Sequence, residues 1–234
     1  MNIFWHGQTC FELLVTPAKN SQVKIVIDPF PEQIGLKFPK VEANILLTTH
    51  NRLVHNNIIK AVSGNPFLIS GPGEYEVKGV YIQGIPTRHN EKNSKEEGEN
   101  TIYTIEAEDL KLCHLGNFNQ KELTEEQLEK IGDIDILMIP IGGVSTLSTN
   151  EALKIMSQIE PNITIPMCYQ IPEQQRRVEM KRQLHRLPKL KLKLEGIDKF
   201  LKIMGIKKIE PQNKLTIKKK DISPEEAKVV ILKP

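Results

Sequence analysis

The first half of the chain is a train of short runs of branched and aromatic residues, each bounded by turn formers. Residues 3–5, 11–15 and 23–27 are the first three, 45–49 is a compact apolar run ending at His50, and residues 67–69, 80–85, 101–105 and 110–113 continue the series. Runs of three to six such residues are strand-sized, and so many of them in succession can bury their apolar faces only by assembling into sheets. Gly71-Pro72-Gly73 and residues 90–98 read as the turns or loops that punctuate them.

The rhythm then changes. Thr124 can cap a helix, Gln127 can reach back to it, and Leu123 and Leu128 sit where a hydrophobic staple places them. Ser148 and Glu151 open a second helix, in which Leu153, Met156 and Ile159 recur at helical spacing until Pro161 stops it. Strand runs at 136–140 and 163–166 alternate with these helices in a β-α-β order. Residues 197–204 have helical spacing, 215–217 and 229–232 read as strands, and Ser223-Pro224-Glu225-Glu226 is a turn or a helix start. No linker or internal repeat divides the chain, so residues 1–234 read as one domain. A strand-rich, then mixed, then strand-ended order predicts an α/β protein with two sheets packed together and helices outside.

Composition narrows the setting. With 39% hydrophobic and 26% charged residues the chain can form an ordinary globular core. No apolar run approaches membrane-spanning length, and MNIFWHGQTC lacks the pattern of a signal peptide. Three scattered cysteines make no disulfide framework, so a reducing, cytoplasmic setting is expected. The net charge of +3 hides an asymmetry: residues 176–220 hold 16 Lys/Arg against 4 Asp/Glu. Apolar residues interleave with these lysines, which reads as solvated faces of packed elements and not as a nucleic-acid motif.

Histidine is where a metal site would show. There are six, and His50 and His55 lie in one loop just past a strand run, a plausible cradle for zinc or a similar ion. His6 is expected at a strand end in contact with backbone, His114 in a structural role, and His185 exposed in the basic stretch. Cys10 and Cys113 lie in apolar runs and read as inert core residues.

The loop resembles the His-x-His-x-Asp-His segment of the metallo-β-lactamase superfamily, in the branch of small zinc-dependent hydrolase-like proteins related to the ascorbate-lactonase group. Trp5-His6-Gly7-Gln8-Thr9-Cys10-Phe11, Ile27-Asp28-Pro29-Phe30, Leu47-Thr48-Thr49-His50, Gly71-Pro72-Gly73-Glu74-Tyr75-Glu76-Val77, Asn100-Thr101-Ile102-Tyr103, Cys113-His114-Leu115-Gly116, Ile139-Pro140-Ile141-Gly142-Gly143 and Ile165-Pro166-Met167 carry the resemblance in family order along nearly the whole chain. It implies an αββα sandwich of two mixed sheets, helices on the outer faces, and a metal site at one edge.

The resemblance also implies a ligand set, and here the chain departs from it. His50, His55 and His89 match family histidine ligands. Arg52 stands where the second histidine should be, Val54 where the loop aspartate should be, Asn117 in place of the aspartate that bridges two metals, and Cys168 in place of the last histidine. Arginine has no lone pair for a cation and valine no donor at all. An asparagine oxygen brings no charge, whereas a Cys168 thiolate would be a good zinc ligand. Asp28 is expected to orient the loop by hydrogen bonding or simply to close a turn.

Three readings follow. A family member that has lost the dinuclear zinc site, is inactive or weak, and binds or scaffolds a small molecule or protein is the first. An active hydrolase of a small ester, lactone or phosphodiester is the second, with at most one zinc held by His50, His89 and Cys168, or by His55 in place of one histidine. A metal-free Cys168–histidine nucleophile lacks an identifiable orienting group. Nucleic-acid binding through the basic stretch, third, is not expected, and neither is a membrane partner; assembly into a homo-oligomer is open.

Overall fold

The computed structural model describes residues 1–18, 21–30, 39–50, 62–89, 98–172, 194–223 and 226–234, and the side chains at 88, 89, 98 and 99 lie outside that description. Alternation of apolar and polar residues builds the first strands. β1 (Asn2–Gly7) turns its alternate residues Ile3, Trp5 and Gly7 inward, and it pairs antiparallel with β2 (Cys10–Ala18), which pairs antiparallel with β3 (Ser21–Ile27). A two-residue β4 (Val41–Glu42) precedes β5 (Ile45–Leu47), which runs parallel to β3. β6 (Val62–Ser63) pairs with β4, and β7 (Phe67–Ile69) runs parallel to β5.

The second sheet starts with β8 (Gly73–Val77), β9 (Val80–His89), β10 (Gly98–Ala107) and β11 (Leu110–His114), a continuous antiparallel meander. Helix α1 (Glu125–Ile131) then leads to β12 (Ile136–Pro140), and α2 (Thr149–Ile159) to β13 (Ile163–Met167), both strands parallel to β11. All five residues of β12 and of β13 are buried, as parallel strands must be when both faces of a sheet are covered. Both helices begin with the reciprocal capping box expected of Thr124/Gln127 and Ser148/Glu151. Glu160, in a left-handed conformation, closes α2 just before Pro161.

α3 (Ile197–Ile203) follows, then β14 (Leu215–Thr216), a 3-10 turn at Lys219–Asp221, and β15 (Lys228–Val229). The result is a six-stranded sheet ordered β14-β1-β2-β3-β5-β7 and a seven-stranded sheet ordered β15-β13-β12-β11-β10-β9-β8. Between them lies a core that includes Ile3, Trp5, Phe11, Ile25, Ile45, Ile82, Ile102, Tyr103 and Ile105. A smaller cluster of Cys10, Val26, Phe30, Val41, Ala43, Leu46 and Val62 covers the other face of the six-stranded sheet under the β4–β6 pair. This is the αββα sandwich. No helix among the described residues is long and apolar enough to cross a membrane.

Four details depart from expectation. Gly98, expected in a turn or loop at 90–98, instead opens β10 opposite His89, and residues 90–97 lie outside the described residues. Glu74–Val77, given no element in the sequence, forms most of β8. The last strand is only Lys228–Val229, with Leu232 in an isolated bridge to Gln212. His6 meets a carboxylate and not only backbone: its Nε2 lies 3.1 Å from Glu12 across the β1–β2 pair.

Candidate functional site at the strand-end edge

β3, β5, β11, β12 and β13 all end at one edge of the sandwich, the place where α/β sheets ordinarily hold ligands. The two sheets are joined there by backbone. Thr101 N–H donates to the Thr49 carbonyl (2.7 Å), and His50 and Asn100 form an isolated antiparallel bridge. The edge is therefore a fixed junction in which Thr49 and His50, just past β5, share a hydrogen-bond frame with Asn100 and Thr101 of β10.

A chain of side-chain hydrogen bonds crosses this junction. Asp28, 1% exposed, accepts from the Thr49 backbone N–H at Oδ1 (2.8 Å) and from the Thr49 hydroxyl at Oδ2 (2.7 Å). Thr49 Oγ1 also lies 3.0 Å from His50 Nδ1. A hydroxyl has one proton, and an ionised carboxylate can only accept. With that proton given to Asp28, the Thr49 oxygen can only accept from His50, so Nδ1 carries the imidazole proton and Nε2 carries the lone pair. Asn117 Nδ2 lies 3.4 Å from that Nε2, at the long end of hydrogen-bond range.

Asn117 is itself held in place. Its backbone N–H donates to Asn100 Oδ1 (2.9 Å), while Asn100 Nδ2 donates to Thr87 Oγ1 (2.9 Å) and the Leu115 carbonyl (3.1 Å). The fully buried His114 donates from Nε2 to the Thr9 carbonyl (2.9 Å) and accepts the Gly116 N–H at Nδ1 (3.1 Å). Burial lowers its pKa below the ordinary histidine value, against a smaller opposing pull from Asp28. Gly116 adopts φ +60°, and a Cβ there would stand 2.5 Å from Asn100 Oδ1 and 2.6 Å from Thr49 Cβ, so only glycine lets this turn approach the junction.

Cys168 leaves β13 with φ 54°, as Asp28 leaves β3 with φ 47°. Gln8, directly past β1 on the same edge, holds φ 51° as well. The Cys168 N–H donates to the Gln8 carbonyl (3.1 Å) and its thiol donates to Gln8 Oε1 (3.5 Å). Burial, with a contribution from the Asp28 charge, pushes the Cys168 thiol up to about 12, so it is neutral at physiological pH.

The structure thus brings Asp28, His50 and Asn117 into one network and ties Cys168 to Gln8. His89 closes β9 at the same edge, its side chain outside the described residues, as are Arg52, Val54, His55 and His185. Among the described residues no three His, Cys, Asp or Glu side chains gather as a metal site. Among the described residues the donor set does not suit a shared cation, because the amide nitrogen of Asn117 faces the His50 lone pair.

Sequence reading missed Thr49, Gln8, Asn100 and Gly116. All four lie in stretches that carry the resemblance, but none has a role there by residue type alone, and Gln8 and Asn100 act through partners distant in sequence. His114, Cys10 and Cys113 have the buried, structural surroundings expected of them.

Comparison with known proteins places the sandwich. The sequence pattern of the "Beta-lactamase superfamily domain" matches residues 2–168. A UPF0173 protein of Pyrococcus abyssi is 30% identical over 192 residues, spanning 72% of this chain and 83% of the relative. A UPF0173 metal-dependent hydrolase of Thermococcus onnurineus is 27% identical, spanning 70% and 82%. The crystal structure of a Thermotoga maritima protein, described as a candidate zinc-dependent hydrolase of the metallo-β-lactamase superfamily, is 32% identical and superposes with a TM-score of 0.74 over 99% of this chain and 97% of its own. The matched residues contain the strand-end junction from Asp28 to Cys168, and the chain belongs to the β-lactamase superfamily, with the metallo-β-lactamase fold.

Proposed function

We propose that this chain is a relative of the metal-dependent hydrolases that has given up the two-zinc centre and uses the strand-end edge to bind a small molecule or protein, with little or no hydrolysis. The observation that carries the reading is Asn117. Where the family places a carboxylate to bridge two cations, this chain places an amide whose nitrogen faces His50 Nε2. Arg52 and Val54 point the same way by residue type. The kinship to the ascorbate-lactonase group and a cytoplasmic location belong to the same proposal.

The test is metal content. Full-length protein, dialysed and then offered zinc at micromolar concentration, is expected to retain less than stoichiometric metal. The combined variant Arg52→His, Val54→Asp, Asn117→Asp, Cys168→His is expected to retain it. Stoichiometric zinc in the unmodified chain sinks the proposal.

A second reading has its own support. Relatives such as the Thermococcus onnurineus protein are called metal-dependent hydrolases. Here one zinc would be held by His50 with His89 and Cys168, or with His55, for hydrolysis of a small ester, lactone or phosphodiester. The ion would supply Lewis acidity, while this chain's own Thr49 and Asp28 would fix the His50 ring. Cleavage of p-nitrophenyl acetate or bis-p-nitrophenyl phosphate that a chelator abolishes and zinc restores would favour this reading over the first.

A further inference from the structure

The substitution at 117 has a consequence for the chemistry of His50 that loss of a metal ligand alone does not describe. Asp28 fixes the proton of Thr49, and Thr49 fixes the proton of His50 on Nδ1. Nε2 is therefore an acceptor whatever lies against it. An acceptor facing an aspartate at 117 would need a cation or an added proton between them. An acceptor facing the Asn117 amide needs neither, because the Nδ2–H can donate to it directly.

We propose that Asn117 takes the place of the metal as a partner of His50, meeting its Nε2 with a hydrogen bond between the protein's own side chains. Three features make the pair a built arrangement. The Asn117 backbone is fixed through Asn100 Oδ1 at 2.9 Å, and Asn100 has both its amide protons and its oxygen engaged. Gly116 gives the turn the close approach that brings 117 over His50. The tautomer of His50 follows from the inventory of donors and acceptors, independently of any metal. The inference rests on the metal-free reading above and makes it more specific: His50 Nε2 faces an amide in the resting protein, so a cation arriving there must first displace that amide.

The experiment is nitrogen-15 NMR of the imidazole rings in full-length, metal-free protein near neutral pH, followed by titration with zinc chloride. His50 is expected as the neutral ring with the proton on Nδ1, and zinc is expected to leave its Nε2 resonance in place. In Asn117→Ala, zinc is expected to move that resonance, with affinity at this nitrogen raised by about tenfold or more, the scale on which groups around a ligand tune metal binding. Thr49→Val is expected to release the tautomer and Thr49→Ser to keep it. A His50 ring protonated on Nε2 in the unmodified protein overturns the proposal, as does zinc moving that resonance as readily in the unmodified protein as in Asn117→Ala. Should Asn117→Ala fail to fold, the tautomer and zinc response of the unmodified protein still decide. If zinc binds stoichiometrically elsewhere while His50 stays unmoved, the metal-free reading fails and this inference stands. If no zinc binds but the ring is protonated on Nε2, the reverse holds.

Discussion

At the scale of single residues, the junction depends on groups that have no freedom to change. Gly116 is the sharpest case. An alanine there combines a left-handed backbone with a Cβ driven into Asn100 and Thr49, and strain of about 1–2 kcal/mol plus overpacking of about 1–3 kcal/mol should lower stability measurably in urea. His114 gives a pH dependence. Its folded-state pKa lies below the unfolded value of 6.5, so the unfolded chain binds the proton more readily. The stability contributed by the neutral ring is complete above pH 6.5 and is lost as pH falls below it through the folded pKa. A His114→Gln variant is expected to show a shallower decline in urea midpoint between pH 7 and pH 5 than the unmodified protein, and an equal slope would remove His114 as the cause. Histidines and cysteines were legible in the sequence as candidates because their chemistry is carried by residue type. The orientation of His50 was not, since it depends on Asp28, 22 positions earlier, meeting Thr49 through the parallel pairing of β3 with β5.

At the scale of elements, the helices were the most legible part. A capping box is a local pattern, complete within four residues, and both boxes form as the sequence predicts. Ser148 N–H and hydroxyl both donate to Glu151 (2.9 and 2.7 Å), and these bonds hold the Glu151 carboxyl below its usual range. Ser148→Ala should cost about 1 kcal/mol, seen as a lower urea midpoint with an unchanged slope. Strands with three or more alternating or continuous apolar residues were legible too. β4 and β6 were not, because two residues have no period, and the pairing that makes them strands lies 21 positions away, as in Val41 with Val62. The polar ends of β9 and β10 were missed for a related reason: Thr87, Arg88 and His89 extend a strand only because Gly98, Glu99 and Asn100 stand opposite them.

For the whole molecule, the two sheets are held together by more than apolar contact. Tyr103, on β10 of the seven-stranded sheet, donates its buried hydroxyl to the carbonyl of Thr48, just past β5 of the six-stranded one (3.0 Å). Burial drives the Tyr103 pKa upward, so the hydroxyl keeps its proton for this bond. Tyr103→Phe removes the donor and should cost about 1–2 kcal/mol without changing the fold, as read by urea denaturation and an unaltered circular dichroism spectrum. Lys219 adds a second tie, with Nζ 2.9 Å from both oxygens of the buried Asp135. Because β14 lies beside β1 and β15 beside β13, one stretch from Leu215 to Val229 completes both sheets. That arrangement has a consequence in time. Asn2 waits for Thr216, its partner across the β1–β14 pair, and the ribosome must make almost everything between them before the pair can form. Pairings so distant in sequence slow folding, so β1 spends synthesis as an open sheet edge, and the nascent chain is most exposed to wrong partners until its last strands arrive.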